Sequence, residues 1–373
     1  MKAFLPFARP EIDEETIGAV AEVLRSGWIT SGPQVQRFES GLSERFGGRP
    51  VRTFAHATAA LEVAVRLAGV GPGDEVIVPA MSFVASANVV VLAGGRPVLV
   101  DVDLDSRNTD AARIEAAITP RTKAVMPVHF AGLPVDLDPI YALAARRGLR
   151  VIEDAAHAMG AEYRGRRIGA QGDLVAFSFH PNKNITTIEG GALSFSNPAE
   201  VERAERLRFH GIRRLPGGLV DVLEHAGKSN LADVSASIGI AQLAKLDPFN
   251  ARRGALARRY FARLGGVPRL RLPAPDCPGH AWHLFAPLVD FDALGMTREG
   301  FIGAMHARGV GVGVHYPAMH LFAAFRRLGY SAGDFPNAET IGARTVTLPL
   351  FTQMQEADVD RACEALTSSM RLS

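Results

Sequence analysis

The pattern of apolar positions changes along the chain. In the first 60 residues apolar side chains recur every three or four positions, which indicates amphipathic helices. Two of these helical faces consist of Ile17, Val20 and Leu24, and of Val35, Phe38, Leu42 and Phe46. Beyond residue 60, helical stretches alternate with short apolar runs rich in β-branched residues. Such alternation is typical of a mostly parallel sheet with helices on both faces, so we predict an α/β fold.

The same pattern predicts the individual elements. Helices are expected at about 58–68, 83–93, 110–118 and 136–147, and strands at 75–78, 97–102, 124–128, 149–153, 174–179 and 191–195. Segment 199–212 is predicted to be helical, 213–230 to be glycine-rich and irregular, and 231–264 to be a helix that breaks or bends at Pro248. From residue 282 onward, the order strand, helix, strand, helix predicts a compact α+β unit.

The length of the chain indicates two domains, because 373 residues exceed what one hydrophobic core usually serves. We expect a large domain over residues 1–247, including the N-terminal segment, and a small C-terminal domain over residues 248–373. Lysine and arginine number 41 against 39 acidic residues, which gives a net charge of +2. This balance gives no reason to expect nucleic acid or an anionic membrane as a partner.

Cysteine usage and hydropathy indicate a soluble, cytoplasmic protein. Cys277 and Cys363 lie far apart and show neither metal-ligand spacing nor a disulfide framework, which fits a reducing compartment. Prolines interrupt the first ten residues before an apolar signal-peptide core can form. The longest apolar run, at 85–93, is too short to span a bilayer.

Reactive side chains follow the predicted strands, where ligands gather in open α/β sheets. Asp154 follows strand 149–153, Lys183 follows strand 174–179, and Phe83 and His129 follow strands 75–78 and 124–128. A lysine and an aspartate at neighbouring strand ends suit pyridoxal phosphate (PLP). The lysine can bond to the cofactor aldehyde, and the aspartate can keep the pyridine nitrogen protonated.

A phosphate site is expected where segment 56–61 begins a helix, because backbone N–H groups at a helix N-terminus bind anions. Thr58 there, and Ser178 beside the lysine, can each add a hydroxyl group. Taken singly, these features also have ordinary structural explanations: Lys183 as a solvated charge, Asp154 or Thr58 as a helix cap, Phe83 as core. The sequence has no P-loop, no Gly-x-Gly-x-x-Gly after the first strand and no metal-ligand spacing.

Several longer stretches together resemble the DegT/StrS aminotransferases, and the resemblance runs almost from end to end. They are Gly27-Trp-Ile-Thr-Ser-Gly-Pro33, Gly71-Pro-Gly-Asp-Glu-Val-Ile-Val-Pro79, Glu153-Asp-Ala-Ala-His157, Phe177-Ser-Phe-His-Pro-Asn-Lys-Asn-Ile-Thr-Thr-Ile-Glu-Gly-Gly191, His280-Ala-Trp-His-Leu-Phe285 and Gly311-Val-Gly-Val-His-Tyr316. The resemblance implies the aspartate-aminotransferase fold, which is PLP fold type I.

The resemblance also implies roles for individual residues. Lys183 matches the lysine that binds PLP covalently, and Asp154 matches the partner of the pyridine nitrogen. The other implied cofactor residues are Phe83 stacked on the ring, His157 near the ring oxygen, Ala57, Thr58, Ala59 and Ser178 around the phosphate, and Asn230 reaching the phosphate of a neighbouring subunit. A homodimer with shared active sites follows from the role of Asn230. The implied substrate residues are Trp28, Thr30, His180 and His315.

The activity that the resemblance implies is transfer of an amino group from glutamate to a keto-sugar. The expected acceptor is a 4-keto nucleotide sugar, such as a UDP-4-keto-pentose, used in modifying cell-surface polysaccharide or lipid. Within the family the chain looks most like the UDP-4-amino-4-deoxy-L-arabinose aminotransferases, on Phe4-Leu-Pro-Phe7, Gly27-Trp-Ile-Thr30 and Asn250-Ala-Arg-Arg253.

Some positions depart from the common family pattern. Ile188 replaces the first glycine of Gly-Glu-Gly-Gly, and Gly227-Lys-Ser-Asn230 lacks the usual tyrosines. These departures leave other acceptors open, namely a 3-keto sugar, an inosose or an amino-sugar aldehyde. A PLP sugar dehydratase and a non-catalytic PLP-binding protein are further alternatives. Lys183 argues against the dehydratase, because that branch has histidine in its place.

Overall fold

The computed structural model describes residues 3–274 and 277–370. Its main feature is a seven-stranded sheet in the order β1-β9-β8-β5-β4-β2-β3. Strand β9 runs antiparallel to β1 and β8, while the other neighbours are parallel. The strands are β1 (Val51–Phe54), β2 (Glu75–Pro79), β3 (Arg96–Val100), β4 (Thr122–Val125), β5 (Arg150–Asp154), β6 (Glu162–Tyr163), β7 (Arg166–Arg167), β8 (Leu174–Ser178), β9 (Gly191–Phe195), β10 (Ile212–Arg214), β11 (Val220–Val222), β12 (Leu270–Arg271) and β13 (Leu288–Val289). The mostly parallel α/β sheet is therefore confirmed.

Helices cover both faces of the sheet and form the C-terminal part of the chain. They are α1 (Glu14–Ser26), α2 (Pro33–Arg45), α3 (Ala57–Leu67), α4 (Ala85–Leu92), α5 (Ala111–Ala117), α6 (Leu137–Arg147), α7 (Val201–Leu207), α8 (Asp233–Ala244), α9 (Leu246–Leu264), α10 (Phe291–Leu294), α11 (Arg298–Ala307), α12 (Ala323–Arg326), α13 (Pro336–Arg344) and α14 (Glu356–Met370).

Alternation of side chains along β2 shows how the sheet divides the core. Val76 and Val78 belong to the apolar cluster that includes α3 and α4, whereas Ile77 belongs to the cluster on the opposite face. All three side chains are buried. A strand with apolar side chains on both faces must be covered by other elements on both sides. For this reason β2 appears in the sequence as a continuous apolar run instead of an alternation of apolar and polar residues.

The predicted break at Pro248 is wrong in position. Two helices replace the single predicted one, and they meet at Lys245, between Ala244 and Leu246. Pro248 lies in the first turn of α9, where a residue without an N–H group loses no intrahelical hydrogen bond. The proline therefore marks the start of a helix rather than an interruption.

Segment 199–230 also differs from the prediction. Helix α7 ends at Leu207, and the chain then forms a short hairpin in which β10 pairs antiparallel with β11. Both hairpin strands lie on the surface, with every residue of β11 exposed. Gly217 and Gly218 lie in the turn between the two strands.

The C-terminal part has its own apolar cluster, which includes Phe285, Phe301 and Leu366. Helix α9 connects two apolar clusters. Its Leu246 belongs to the cluster that contains Ile77 on one face of the sheet, and its Leu256 belongs to the C-terminal cluster. The domain boundary at residue 247 stays a prediction. The expected second strand after residue 282 is reduced to isolated bridges such as Gly313 with Thr347. Within the described ranges, no helix is long and apolar enough to cross a membrane.

Candidate active site

A cavity of about 360 Å³ lies at the carboxyl ends of the parallel strands. Its walls come from the start of α3, the turn before α4, the ends of β5 and β8, the loop between β8 and β9, and the segment that contains His315. Parallel strands bring residues that are distant in sequence to one edge. Asp154 and Lys183 both line this cavity, as the strand-end analysis predicted.

The Asp154 carboxylate is buried and held from two sides. Its Oδ2 accepts a hydrogen bond from the Ser86 hydroxyl at 2.6 Å, and its Oδ1 accepts one from the Ala156 N–H at 3.1 Å. Ser82 is hydrogen-bonded to Ser86 at 2.8 Å, so the first turn of α4 supports the carboxylate. A carboxylate with fixed orientation can accept a hydrogen bond from a protonated ring nitrogen. Sequence analysis missed Ser86, which lies 68 positions before Asp154.

Lys183 lies on the loop that follows β8, where its N–H donates to the His180 carbonyl at 2.8 Å. Burial lowers the pKa of the Lys183 amine to about 8, and the charge of Asp154 acts in the opposite direction. An amine with a pKa near neutrality is available as a nucleophile and as a proton carrier. These are the two properties expected of a lysine that binds a cofactor aldehyde.

We predict that the uptake of PLP by the apoprotein accelerates as pH rises through about 8 and then levels off, because only the neutral Lys183 amine is nucleophilic. An ordinary lysine would continue to gain reactivity up to about pH 10.4. Stopped-flow absorbance measures this rate. In Asp154→Asn the midpoint should move to lower pH, because the charge that raises the pKa is lost. A midpoint near 10 in the unmodified protein would contradict the prediction.

The start of α3 forms the wall of the cavity opposite the lysine loop. His56 caps the helix, and its Nδ1 accepts the Ala59 N–H at 3.0 Å. In the part of the chain that the structure describes, no acceptor contacts the N–H groups of Ala57 and Thr58, and both residues line the cavity. Two free N–H groups at a helix N-terminus can bind a phosphate. Ala59 does not line the cavity, and its N–H already donates to the His56 cap, so its predicted contact with the phosphate stays a prediction.

A glycine permits the close approach of β9 to this helix start. A Cβ at Gly191 would lie 2.5 Å from the Ala57 nitrogen and 2.6 Å from the His56 carbonyl carbon. No side chain can occupy that position without moving the first turn of α3. Gly191 thus fixes the distance between the helix start and Ser178, since Gly191 pairs with Ser178 across the strands.

Gly191→Ala is expected to weaken PLP binding, because the added methyl group displaces the N–H groups of Ala57 and Thr58. Overpacking costs roughly 1–3 kcal/mol, so the dissociation constant should rise about five- to a hundredfold. Equilibrium dialysis of the apoprotein measures this constant. Gly303→Ala, in α11, is the matched control, because a Cβ there meets no atom within 4 Å. Equal affinity in both variants would contradict the proposed phosphate site.

His157 is buried on the cavity wall and neutral. Burial, together with the charge of Lys183, lowers its pKa well below the usual value. Its Nδ1 accepts the Ala131 N–H at 3.2 Å, so the ring proton resides on Nε2, which lies 3.2 Å from the Tyr316 hydroxyl. Tyr316 also lines the cavity, and burial raises its pKa. Tyr316 ends the stretch Gly311-Val-Gly-Val-His-Tyr316 of the sequence. Its proximity to His157 depends on the fold and is not visible in the sequence.

The remaining predicted residues divide into two groups. Phe83, Ser178, His180 and His315 line the cavity, and the Phe83 ring lies 5.8 Å from that of Tyr316. Trp28, Thr30 and Asn230 lie outside the cavity of this chain. Trp28 donates from Nε1 to the Ser31 carbonyl, the Thr30 carbonyl accepts the Asp233 N–H, and the Asn230 amide donates to the Ser31 hydroxyl. Their predicted ligand contacts stay predictions.

One departure noted in the sequence, Ile188, has a structural counterpart here. Ile188 has a φ of 71°, a conformation that glycine adopts easily and that costs a β-branched residue on the order of 1–3 kcal/mol. Its N–H donates to the Thr186 hydroxyl at 2.9 Å, which holds this turn. Glu189 and Asn182, which sequence analysis did not select, add polar groups to the cavity rim.

His129 is part of the structural core rather than of the cavity. Its Nδ1 accepts the Val135 N–H at 3.1 Å, so its Nε2 donates to Glu153 at 2.9 Å.

Among the residues described, no group of histidine, cysteine, aspartate or glutamate side chains could hold a metal ion. The residues that are present fit PLP, because one cavity holds an amine, an oriented carboxylate and two free N–H groups at a helix start.

Comparisons with known proteins agree with this chemistry. A model of the DegT/DnrJ/EryC1/StrS aminotransferase family matches residues 10–367. DesV of S. venezuelae, solved in complex with a ketimine intermediate, shares 34% identity over 100% of both chains, with a TM-score of 0.91. PseC of Helicobacter pylori, an aminotransferase involved in the biosynthesis of pseudoaminic acid, shares 27% identity over 99% of both chains, with a TM-score of 0.93.

A third similar structure is Spr1654 of Streptococcus pneumoniae, a candidate sugar aminotransferase solved in apo, PLP and PMP forms. Its PMP form shares 32% identity over 98% of both chains, with a TM-score of 0.92.

Proposed function

The chain belongs to the DegT/DnrJ/EryC1/StrS family and is a PLP-dependent sugar aminotransferase, and from this premise we propose that it transfers an amino group from glutamate to a 4-keto nucleotide sugar, with Lys183 as the catalytic residue. The observation that carries the proposal is the presence of Lys183 and Asp154 on one cavity. The proposed product is an amino-sugar for cell-surface polysaccharide or lipid.

When bound, PLP supplies an aldehyde for amino groups and a ring that accepts an electron pair. In the proposal, Asp154 holds the ring nitrogen protonated, and the hydrogen bonds from Ser86 and Ala156 keep its carboxylate in one orientation. The N–H groups of Ala57 and Thr58, with the Ser178 hydroxyl, hold the phosphate. Phe83 and His157 line the same cavity and would contact the ring of the cofactor.

Lys183 moves the proton. Its amine, with a pKa of about 8, is neutral in a substantial fraction of molecules near pH 7.5 and can accept the α-proton of the donor. The protonated amine would then give this proton to the aldehyde carbon of PLP, so that the amino group stays on the cofactor. Asp154 favours the protonated form, so the lysine can act as base and then as acid within one turnover.

The polar rim of the cavity supports a sugar as the acceptor. His180, Asn182, Glu189, His315 and Tyr316 bring both donors and acceptors to the rim. A substrate with many hydroxyl groups needs such a mixture of donors and acceptors, whereas a keto acid with an apolar side chain does not. The sugar aminotransferases among the similar structures support the same class of substrate. The assignment of the chain to the UDP-4-amino-4-deoxy-L-arabinose branch of the family stays a prediction.

A homodimer with shared sites forms part of the proposal. The hairpin strand β11 exposes Val220 and Val222, and the neighbouring Leu219 is 67% exposed. Exposed apolar side chains that lie together are typical of protein interfaces. Asn230 lies at the base of this segment, and its Oδ1 has no partner among the described residues. A second copy could use both features. We also propose a cytoplasmic location, which rests on the absence of a disulfide framework in the cysteine spacing of the sequence.

The test is a substrate screen with purified enzyme, PLP and glutamate, in which 2-oxoglutarate is measured. Nucleotide 4-keto sugars are expected to support turnover and 3-keto sugars to be poor acceptors. If the enzyme prefers a 3-keto sugar, an inosose or an amino-sugar aldehyde, the proposed acceptor is wrong but the proposed aminotransferase reaction stands. Turnover with simple 2-keto acids alone would overturn the sugar assignment.

A further inference from the structure

The N-terminal segment is built into the wall that carries His315. The Leu5 N–H donates to the Gly309 carbonyl at 2.9 Å, and the Gly311 N–H donates to the Leu5 carbonyl at 2.8 Å. Arg361 donates to the carbonyls of both Ala3 and Gly309, at 2.6 and 2.8 Å. This segment is therefore fixed along the strand-like stretch that leads to the cavity.

Two residues further on, Phe7 stacks on the His315 ring. The ring centroids are 5.2 Å apart, and the planes meet at 25°. On its other side, His315 Nδ1 is hydrogen-bonded to the Thr347 hydroxyl at 2.8 Å, and Thr347 is completely buried. The imidazole is thus held by one stacking contact and one hydrogen bond, while it also lines the cavity.

Gly313 permits this packing. A Cβ at Gly313 would lie 2.8 Å from His315 Cε1 and 3.3 Å from Phe7 Cε2, so the two rings converge on the one backbone position without a side chain. Gly311 likewise leaves room for the Phe7 backbone, because a Cβ there would lie 3.0 Å from the Phe7 nitrogen. Both glycines belong to the Gly-Val-Gly-Val-His-Tyr stretch.

We propose that Phe7 is a positioning residue, which holds the His315 imidazole in the orientation that the keto-sugar acceptor requires. This rests on the proposed function in so far as His315 contacts the acceptor. The N-terminal segment is then a component of the active site, although none of its residues lines the cavity.

Electrostatics supports the same contact. Burial lowers the pKa of His315 to about 4, and the positive charge of Lys183 adds to the effect. The other titratable groups that face this region are Tyr316, His157 and His283. Phe7 covers one face of the ring, so its removal would admit water. The pKa of His315 should then rise toward its usual value of about 6.5.

Phe7→Ala in the PLP-loaded enzyme tests the proposal. Aromatic pairs contribute about 0.5–1.5 kcal/mol, so the acceptor KM should rise about two- to tenfold, with cofactor absorbance unchanged. Phe7→Tyr, which keeps the stacked face, should restore the KM. An NMR titration of the imidazoles, with the His315 signal assigned by His315→Gln, should show a higher pKa in Phe7→Ala.

Phe4→Ala is the matched control. Phe4 belongs to the same segment but packs edge-on against His306, with centroids 6.0 Å apart, and His306 does not line the cavity. Equal changes in both variants, or an unchanged His315 pKa in Phe7→Ala, would overturn the proposal. The NMR titration needs no substrate, so it tests the contact between Phe7 and His315 separately from the sugar assignment, whereas the acceptor KM tests both together.

Discussion

Lys183→Ala should lose roughly four orders of magnitude in turnover. The substitution removes the amine that, in our proposal, both bonds to the cofactor and carries the proton. Positioned acid–base catalysis alone contributes up to about 10⁴-fold. Single-turnover absorbance of PLP-saturated enzyme with glutamate measures the effect on the first half of the reaction. The fold should be retained, because the Lys183 side chain lies in a cavity and makes no hydrogen bond among the described residues.

Lys183→Arg is the control for charge. Arginine keeps a cation in the same place, but its guanidinium remains protonated and can neither bond to the aldehyde nor accept the α-proton. Both variants should therefore be inactive. An added small primary amine should partly restore proton transfer in Lys183→Ala, which has room for it, and not in Lys183→Arg. Turnover in Lys183→Ala within tenfold of the unmodified enzyme would remove Lys183 from the mechanism.

Asp154→Asn should lower kcat by roughly two to four orders of magnitude. A neutral amide does not stabilise a positive charge on the ring nitrogen, and the loss of one partner from a buried charge pair costs about 3–5 kcal/mol. Asparagine has nearly the same volume, so the packing of β5 should survive. The substitution should lower kcat and leave the KM of both substrates nearly unchanged. The negative charge of Asp154 is needed in the chemical step, when the ring accepts an electron pair, and not for the binding of substrate.

Ser86→Ala provides a graded comparison. The Ser86 hydroxyl donates to Asp154 at 2.6 Å, so its removal leaves the charge but loosens its orientation. A hydrogen bond to a charged group contributes about 1.5–3 kcal/mol, and part of that loss should appear as about a tenfold decrease in kcat. Ser86→Ala should therefore lie between the unmodified enzyme and Asp154→Asn. The opposite order would show that Asp154 does not act through its charge.

Strands buried on both faces were predictable from the sequence. β2, β5 and β8 carry apolar residues on both faces, and no exposed polar position interrupts them. Strand β1 was missed, because it has only four residues and two of them, Arg52 and Thr53, are polar, so it forms no apolar run. The break in the long helix was placed at Pro248, since proline usually ends a helix. A proline in the first turn has the opposite meaning, and the pattern alone did not distinguish the two cases.

The site was predictable where strand ends determine it. Asp154 and Lys183 follow adjacent strands, so parallel pairing places them at one edge. The supporting residues could not be predicted in this way. Ser86 reaches Asp154 through packing between α4 and β5, and Tyr316 reaches His157 across 159 positions. His56 was not expected as the cap of α3, because serine, threonine, aspartate and asparagine are the usual caps.

Trp28, Thr30 and Asn230 show a different limit. The resemblance implies substrate roles for Trp28 and Thr30 and a contact of Asn230 with the phosphate of a neighbouring subunit, but none of the three residues lines the cavity of this chain. Trp28 is exposed, and Asn230 contacts Ser31 rather than the cavity. The only sign within this chain of the contact predicted for Asn230 is its Oδ1, which has no partner among the described residues.

Peptide mapping after borohydride reduction tests the central claim most directly. Borohydride fixes a cofactor aldehyde to the lysine that holds it, and the other lysines are Lys2, Lys123, Lys228 and Lys245. The reduced enzyme should carry a phosphopyridoxyl group on the peptide that contains Lys183, and pretreatment with glutamate should prevent the labelling, because the cofactor then leaves the lysine. Labelling at another lysine, or labelling of Lys183 that glutamate does not prevent, would contradict Lys183 as the residue through which the amino group is transferred.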